Sequence, residues 1–143
     1  MVKEVLEVMG GLQTMKVAPA NTQEWVQRII AGIPARAALA FKGALHLNND
    51  QLGALLGLSR RSLNRLTPAK ALLPAVAGDR LYRSARLFAL ALDVFEDHDA
   101  ATEWLKSPQR ALGNAIPLDI ATTDIGARDV ETLLGRIEHG VYS

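Results

Sequence analysis

The chain has 143 residues, 49% of them hydrophobic and 22% charged, so it can bury one good core or two small ones. It contains no cysteine, which excludes disulfides and thiol catalysis and is compatible with a reducing compartment. The net charge of +1 divides into +1 over residues 1–57, +6 over residues 58–88 and −6 over residues 89–143.

This charge pattern predicts two kinds of partner, phosphate for the basic middle and protein for the acidic C-terminal third. Ordinary surface solubility is the alternative interpretation of the acidic part. No apolar run reaches the roughly 18 residues that cross a bilayer, and charged residues near the N-terminus interrupt any signal peptide. We therefore expect a cytoplasmic protein without a membrane partner.

Residues 1–20 have weak periodicity, which indicates an N-terminal arm or a marginal helix without assigned function. The first predicted helix comes after this segment. Asn21 or Thr22 caps it, and its apolar residues recur at helical spacing. Trp25 lies on the apolar stripe and is interpreted as a core anchor. Gly32 followed by Pro34 ends this helix, and Pro34 begins the next one, through about residue 47.

Residues 50–66, with the sequence DQLGALLGLSRRSLNRL, have the pattern of a helix-turn-helix. Gly57 supplies the left-handed turn conformation, and Ser59 caps the second helix. Spaced leucines anchor both helices. A recognition helix places its N-terminal residues in the major groove, where Arg bonds guanine and Asn bonds adenine. The predicted DNA-binding residues are Ser59, Arg60, Arg61, Asn64 and Arg65.

One residue departs from the usual motif, and one alternative interpretation is open. The fifth position of such motifs is usually alanine, and here it is Gly53, which loosens the first helix by about 1 kcal/mol. The alternative is a tight turn between two core helices, whose arginines form a solvated face.

The next stretch, residues 67–78, has two prolines and a glycine and is predicted to be a connection. The helix after it, residues 79–95, is apolar around much of its circumference from residue 87, which indicates a buried central helix or one covered by a second subunit. Arg80, Arg83 and Arg86 recur every three residues at its start and either contact phosphate or stay solvated.

Catalytic and metal-binding patterns are weak. Asp97, His98 and Asp99 are adjacent but lack spaced second ligands, and Asp99 is explained as a helix cap. The three histidines are scattered, and there is no HExxH motif or phosphate-cradling glycine loop. We therefore expect no enzyme, no cofactor and no metal site.

The C-terminal part has its own helical pattern. Residues 117–119 are predicted to form a turn, and Thr122 or Thr123 caps a helix that Gly140 stops. Its stripe at helical spacing consists of Val130, Leu133, Leu134, Ile137 and Val141. The tip, Val141, Tyr142 and Ser143, either frays or fills a partner's pocket.

A set of short motifs runs from Trp104 to the end of the sequence: Trp104-Leu105, Pro108, Ala111-Leu112-Gly113, Pro117-Leu118-Asp119, Gly126-Ala127-Arg128, Val130, Leu133-Leu134, Arg136-Ile137 and Gly140-Val141-Tyr142. These motifs resemble the C-terminal toxin-binding domain of the Xre/MbcA/ParS antitoxin family. The resemblance spans roughly residues 80–143, and residues 20–75 resemble the Xre-like DNA-binding half of such antitoxins.

The resemblance implies that the C-terminal region binds a cognate toxin and that its last residues approach the toxin's active site. It assigns toxin binding to Arg136, Gly140, Val141, Tyr142 and Ser143. The toxins paired with this family include those of the RES fold, which resemble NAD-consuming enzymes.

We therefore predict an all-α type II antitoxin with an arm over 1–20, a helix-turn-helix domain over 21–78 and a toxin-binding domain over 79–143. Its expected partners are a toxin of RES type, operator DNA and a second copy of the chain. Homodimerisation would bury the apolar helix near residues 87–95. The alternative is a stand-alone helix-turn-helix regulator with a ligand-sensing C-terminal domain.

Overall fold

The computed structural model describes residues 2–16, 18–66 and 71–140 of the protein. Within these ranges the regular elements are helices, accompanied by two isolated β-bridges and no β-strand, which confirms the all-α prediction. A 3-10 turn, Arg110–Leu112, precedes α9. The helices are α1 (Val2–Val8), α2 (Gly11–Met15), α3 (Thr22–Ala31), α4 (Ala35–Ala44), α5 (Asn49–Leu56), α6 (Arg60–Asn64), α7 (Ala75–Phe95), α8 (His98–Lys106), α9 (Pro117–Ile120) and α10 (Asp124–Glu138).

The chain divides into two compact units, Val2–Tyr82 and a second unit from Arg83 onward. This division falls inside α7, which already begins at Ala75, within the predicted connection. Gly78 suggested a break, but it is a buried residue of the helix. A Cβ added to Gly78 would lie 3.6 Å from Cδ1 of Ile33, so this turn of α7 packs closely on the core.

The N-terminal segment, predicted to be an arm or a marginal helix, contains α1 and α2. Both helices contact α4, and the side chains of Met9 and Met15 are 0% exposed. Met9 and Gly10 separate the two helices, and both Gly10 and Gly11, the first residue of α2, have positive φ angles, of 97° and 69°. Because each helix is so short, no apolar stripe develops, and this explains the weak periodicity of the sequence.

Helix α3 begins at a side-chain cap and carries the core anchor of the first unit. Of the two predicted caps, Asn21 performs the role, since its Oδ1 accepts a 2.9 Å hydrogen bond from the backbone N–H of Glu24. Trp25 is buried, as expected, and its ring centroid lies 4.6 Å from that of Tyr82. Gly32, with φ of 117°, ends the helix.

Helix α4 follows Pro34 directly, as predicted, and ends at Ala44, ahead of the expected residue 47. Its face that carries Phe41 is fully buried. The chain then turns at His46, a non-glycine residue with a positive φ of 55°.

The apolar part of α7 forms the core of the second unit. Leu87, Phe88 and Ala91 are buried within a single chain. The ring of Phe95, at the end of α7, lies 5.6 Å from the ring of Trp104 in α8. The residues Leu87, Phe88 and Ala91 thus match the buried-helix interpretation, while Leu90, Leu92, Val94 and Phe95 are half-buried.

Two local predictions in the second unit are wrong. Helix α8 is capped by Asp97, whose carboxylate accepts a 2.9 Å hydrogen bond from Ala100 N–H, and not by Asp99, which lies inside the helix. The extended φ of −152° at Asp97 suits an N-cap. Residues 117–119, predicted to be a turn, belong to the short helix α9, because the fixed φ of Pro117 starts a helical turn.

Candidate nucleic-acid interface

The helix pair α5–α6 begins at a reciprocal cap. The side chain of Asn48 accepts from Gln51 N–H, and the side chain of Gln51 accepts from Asn48 N–H, both at 2.8 Å. This capping box satisfies two backbone donors that a helix start otherwise leaves unpaired. The inner face of α5 carries Leu52, Leu55 and Leu56, all buried, so the orientation of α5 is fixed by the core.

The turn after α5 is as tight as predicted. Gly57 adopts the left-handed conformation, with φ of 73° and ψ of 30°. The backbone N–H of Leu58 donates to the carbonyl of Gly53 at 2.9 Å. A Cβ on Gly53 would lie only 3.0 Å from the carbonyl oxygen of Leu58. Glycine at this fifth position therefore lets the backbone of Leu58 lie close to α5, although it also loosens that helix.

Ser59 caps α6, as predicted, and its hydroxyl accepts a 3.1 Å hydrogen bond from Ser62 N–H. Leu63 and Leu66 anchor the segment in the core, although α6 itself ends at Asn64, short of the predicted Leu66. Residue 67, which precedes Pro68, lies outside the described residues. The four predicted outward side chains are all exposed: Arg60, Arg61, Asn64 and Arg65.

One contact at this surface is absent from the sequence interpretation. Nη2 of Arg60 donates to Oδ1 of Asp50 at 3.0 Å, which joins the first residue of α6 to the first turn of α5. Ten positions separate the two residues, so neither helical spacing nor turn spacing signals the pair. An acid in the first turn of the first helix is the only sequence feature that suggests it.

The three arginines at the start of α7 do not form a common phosphate face. Arg83 donates to the carbonyl of Thr122 at 3.4 Å, and Arg86 makes a two-point ion pair with Glu131 at 2.5 and 2.9 Å. Both arginines therefore bind protein groups of the second unit.

Arg80, in the first unit, has a different neighbour. A Cβ built on Gly57 would lie 2.6 Å from Nη1 of Arg80 and 3.0 Å from its Cζ. The guanidinium thus lies beside the turn at the C-terminal end of α5, where a positive charge is favourable to the helix dipole. The sequence interpretation did not connect these two residues.

In the second unit, α10 carries the predicted toxin-binding segment. Thr123 caps α10 by accepting from Gly126 N–H at 3.0 Å. A Cβ on Gly126 would collide with the carbonyl oxygen of Ile120, so α9 and α10 pass each other at backbone distance. Of the predicted stripe, Val130, Leu133 and Leu134 are buried and Ile137 is half-buried, while Val141 lies outside the described residues.

Of the predicted toxin-binding residues, Arg136 is exposed in the last turn of α10, and Gly140 is exposed with φ of 72°. Val141, Tyr142 and Ser143 lie outside the described residues. Ile125, which no sequence motif marks, is 74% exposed in the first turn of the same helix.

Two kinds of feature are absent from the described ranges. No group of three or more His, Asp or Glu side chains among these residues is placed to hold a metal ion. No helix in the described part of the chain has the length and apolar character that would span a membrane.

The capped helix pair, its glycine turn and its outward basic helix define a helix-turn-helix protein. Residues 24–86 match the antitoxin Xre-like helix-turn-helix domain, and residues 90–140 match the antitoxin Xre/MbcA/ParS C-terminal toxin-binding domain. Together the two matches cover most of the chain, which belongs to the Xre/MbcA/ParS family of antitoxins.

Three similar proteins are each named Antitoxin Xre. The one from Photorhabdus laumondii is 39% identical over 90 residues, which cover 62% of this chain and 61% of that protein. The one from Yersinia enterocolitica is 34% identical over 88 residues, 61% of this chain and 60% of the relative. The one from Pseudomonas putida is 37% identical over 62 residues, 43% of this chain and 39% of the relative. The matched region thus spans about three fifths of the first two relatives.

Proposed function

We propose that this chain is the antitoxin of a type II toxin–antitoxin system. Residues 21–78 bind operator DNA and repress transcription of the chain's own operon, and residues 79–143 bind and neutralise the cognate toxin. In this proposal the protein acts in the cytoplasm as a homodimer and has no catalytic role. The observation that carries the proposal is the match of both halves of the chain to antitoxin domains.

The DNA-binding half of the proposal is supported by the exposed basic surface on α6. The hydroxyl of Ser59 fixes the start of α6, and Arg60, Arg61, Asn64 and Arg65 all point into solvent. Arginine reads guanine through paired donors, asparagine reads adenine, and the remaining arginines neutralise phosphate. Placing α6 in the major groove uses all four of these side chains.

The toxin-binding half is supported by the exposed end of α10. Arg136 and Gly140 are exposed, and the resemblance extends through Val141, Tyr142 and Ser143. We propose that Tyr142 fills a pocket of the toxin, where it supplies a large contact area and a hydroxyl for hydrogen bonding. The proposed partner is a RES-type toxin, the class that the family resemblance implies.

The proposed homodimer follows from the size of the recognition element. Helix α6 has five residues, and one such helix buries little area on DNA. A two-fold pair would place two copies about 34 Å apart, on successive turns of the duplex. The helix surface near residues 87–95 offers less area to a dimer than expected, because Leu87 and Phe88 are already buried within one chain.

A reciprocal pair of variants tests the division of labour. Replacing Arg60, Arg61 and Arg65 together by alanine should abolish operator binding in a mobility-shift titration at fixed salt, yet leave toxin neutralisation intact in cells. A variant that ends at Gly140 should bind operator DNA like the parent chain and fail to neutralise the toxin.

The control for the first variant removes the same charge elsewhere. Its three replacements are exposed basic residues of the same unit, Lys3, Lys16 and Arg36. This control should retain operator binding. If circular dichroism shows that the α6 variant is folded, and it still binds the operator as tightly as the control does, the α6 surface has only a structural role. If the chain that ends at Gly140 neutralises the toxin fully, residues 141–143 are not part of the toxin-binding site.

A further inference from the structure

The ion pair between Asp50 and Arg60 contributes little to stability. Its Nη2–Oδ1 distance is 3.0 Å, but both side chains are 77% exposed. Exposed pairs of this kind are screened by water and salt, and their ordering costs side-chain entropy. The pair nevertheless involves the first residue of the proposed recognition helix.

The contact constrains Arg60 and leaves much of its bonding capacity unused. A guanidinium has five N–H donors in a planar fork. The hydrogen bond to Asp50 uses a donor on Nη2, and reading a guanine requires two further donors. A carboxylate on one side of the fork can therefore fix its plane while other N–H groups remain available to a base.

The charge of Asp50 also favours contact of Arg60 with a base over contact with phosphate. Its carboxylate repels DNA phosphates and neutralises much of the charge that Arg60 would offer to them. Among the described residues, Arg61 and Arg65 have no acidic partner at ion-pair distance. These two arginines keep their full charge for the DNA backbone.

We propose that Asp50 is a positioning residue for DNA specificity: it directs Arg60 toward a base edge, and Arg61 and Arg65 hold phosphate. This inference rests on the proposed DNA binding and assigns a separate role to each arginine. Asp50 thereby weakens binding to DNA of arbitrary sequence and orients Arg60 at the operator.

The test compares two affinities of the full chain. An operator is first selected from randomised duplexes, and dissociation constants are then measured for this operator and for a scrambled duplex over a range of salt concentrations. Asp50→Asn keeps the shape of the side chain and removes its charge. We expect tighter binding to the scrambled duplex, a salt slope steeper by about 0.9, and a specificity ratio lowered about fivefold to tenfold.

Two further variants of the pair separate positioning from simple repulsion. Asp50→Glu retains the charge and should recover most of the specificity ratio. In an Arg60→Ala background, Asp50→Asn should change the ratio less than twofold, because the side chain that it positions is gone.

Asp124→Asn is the matched control. Asp124 also lies in the first turn of a helix, is exposed, and makes a 3.0 Å ion pair with an arginine, Arg128, but it belongs to the second unit. Its replacement should leave both dissociation constants unchanged.

Two results would overturn the inference. An unchanged specificity ratio for Asp50→Asn would remove the positioning role. An equal loss of specificity in the Arg60→Ala background would show that Asp50 acts through its charge alone. A parent chain that binds operator and scrambled duplexes equally would instead contradict the proposed function, which distinguishes the two failures.

Discussion

Replacing Gly126 by alanine should destabilise the second unit strongly. A Cβ at this position would overlap the carbonyl oxygen of Ile120 and lie 2.6 Å from its carbonyl carbon and 2.9 Å from Oγ1 of Thr123. The clash is with backbone, so no rotamer relieves it. Overpacking of this kind costs about 1–3 kcal/mol, and displacing the Thr123 cap adds about 1 kcal/mol. We expect a total loss of about 2–4 kcal/mol in the free energy of unfolding.

Gly135, in the same helix, provides the matched control. A Cβ there would meet nothing within 4 Å, so Gly135→Ala should gain about 1 kcal/mol from the higher helix propensity of alanine. The same chemical change in one helix is thus expected to have opposite signs at two positions.

Urea unfolding followed by tryptophan fluorescence measures both effects. The chain has two tryptophans, of which Trp25 belongs to the first unit and Trp104 to the second. In a Trp25→Phe background, the signal therefore reports the second unit alone. If Gly126→Ala unfolds at the same or a higher urea concentration than its parent, the inferred backbone contact between α9 and α10 does not exist.

Four further substitutions test other contacts by urea unfolding, with Trp25 reporting the first unit and Trp104 the second. Gly57→Ala should cost the first unit about 1–2 kcal/mol, since alanine resists the φ of 73°; an unchanged midpoint would contradict the left-handed turn. Arg86→Ala should cost about 1 kcal/mol or less at low salt, and less still in 1 M salt, because its partner Glu131 is partly exposed; a loss that grows with salt would argue against the ion pair. Asp97→Ala should cost about 1 kcal/mol and Asp99→Ala less than about half of that, because only Asp97 caps α8; the reverse order would restore the cap predicted from sequence.

The parts of the fold that were predictable depend on neighbours in sequence. Gly57 and Ser59 act within one or two turns of the chain, so the helix-turn-helix and its exposed face followed from residue type and spacing. The same holds for Asn21 and Thr123, whose caps bond to N–H groups three residues ahead.

The parts that were not predictable depend on distant contacts. The pair Asp50–Arg60 spans two helices, and Met9 is buried where α1 and α2 contact α4. Gly78 shows the opposite failure, since its weak helix propensity suggested a connection, while packing near Ile33 keeps it helical.

The closeness of Arg80 and Gly57 makes these two positions mutually dependent in any mutational history of the protein. The guanidinium occupies the volume into which a side chain at position 57 would grow. A shorter residue at position 80 should therefore offset the steric part of a substitution at Gly57, although it leaves the backbone strain in place. This coupling joins positions that are 23 apart in the sequence, and it should be small for alanine at position 57, because the end of a flexible arginine side chain can also move aside.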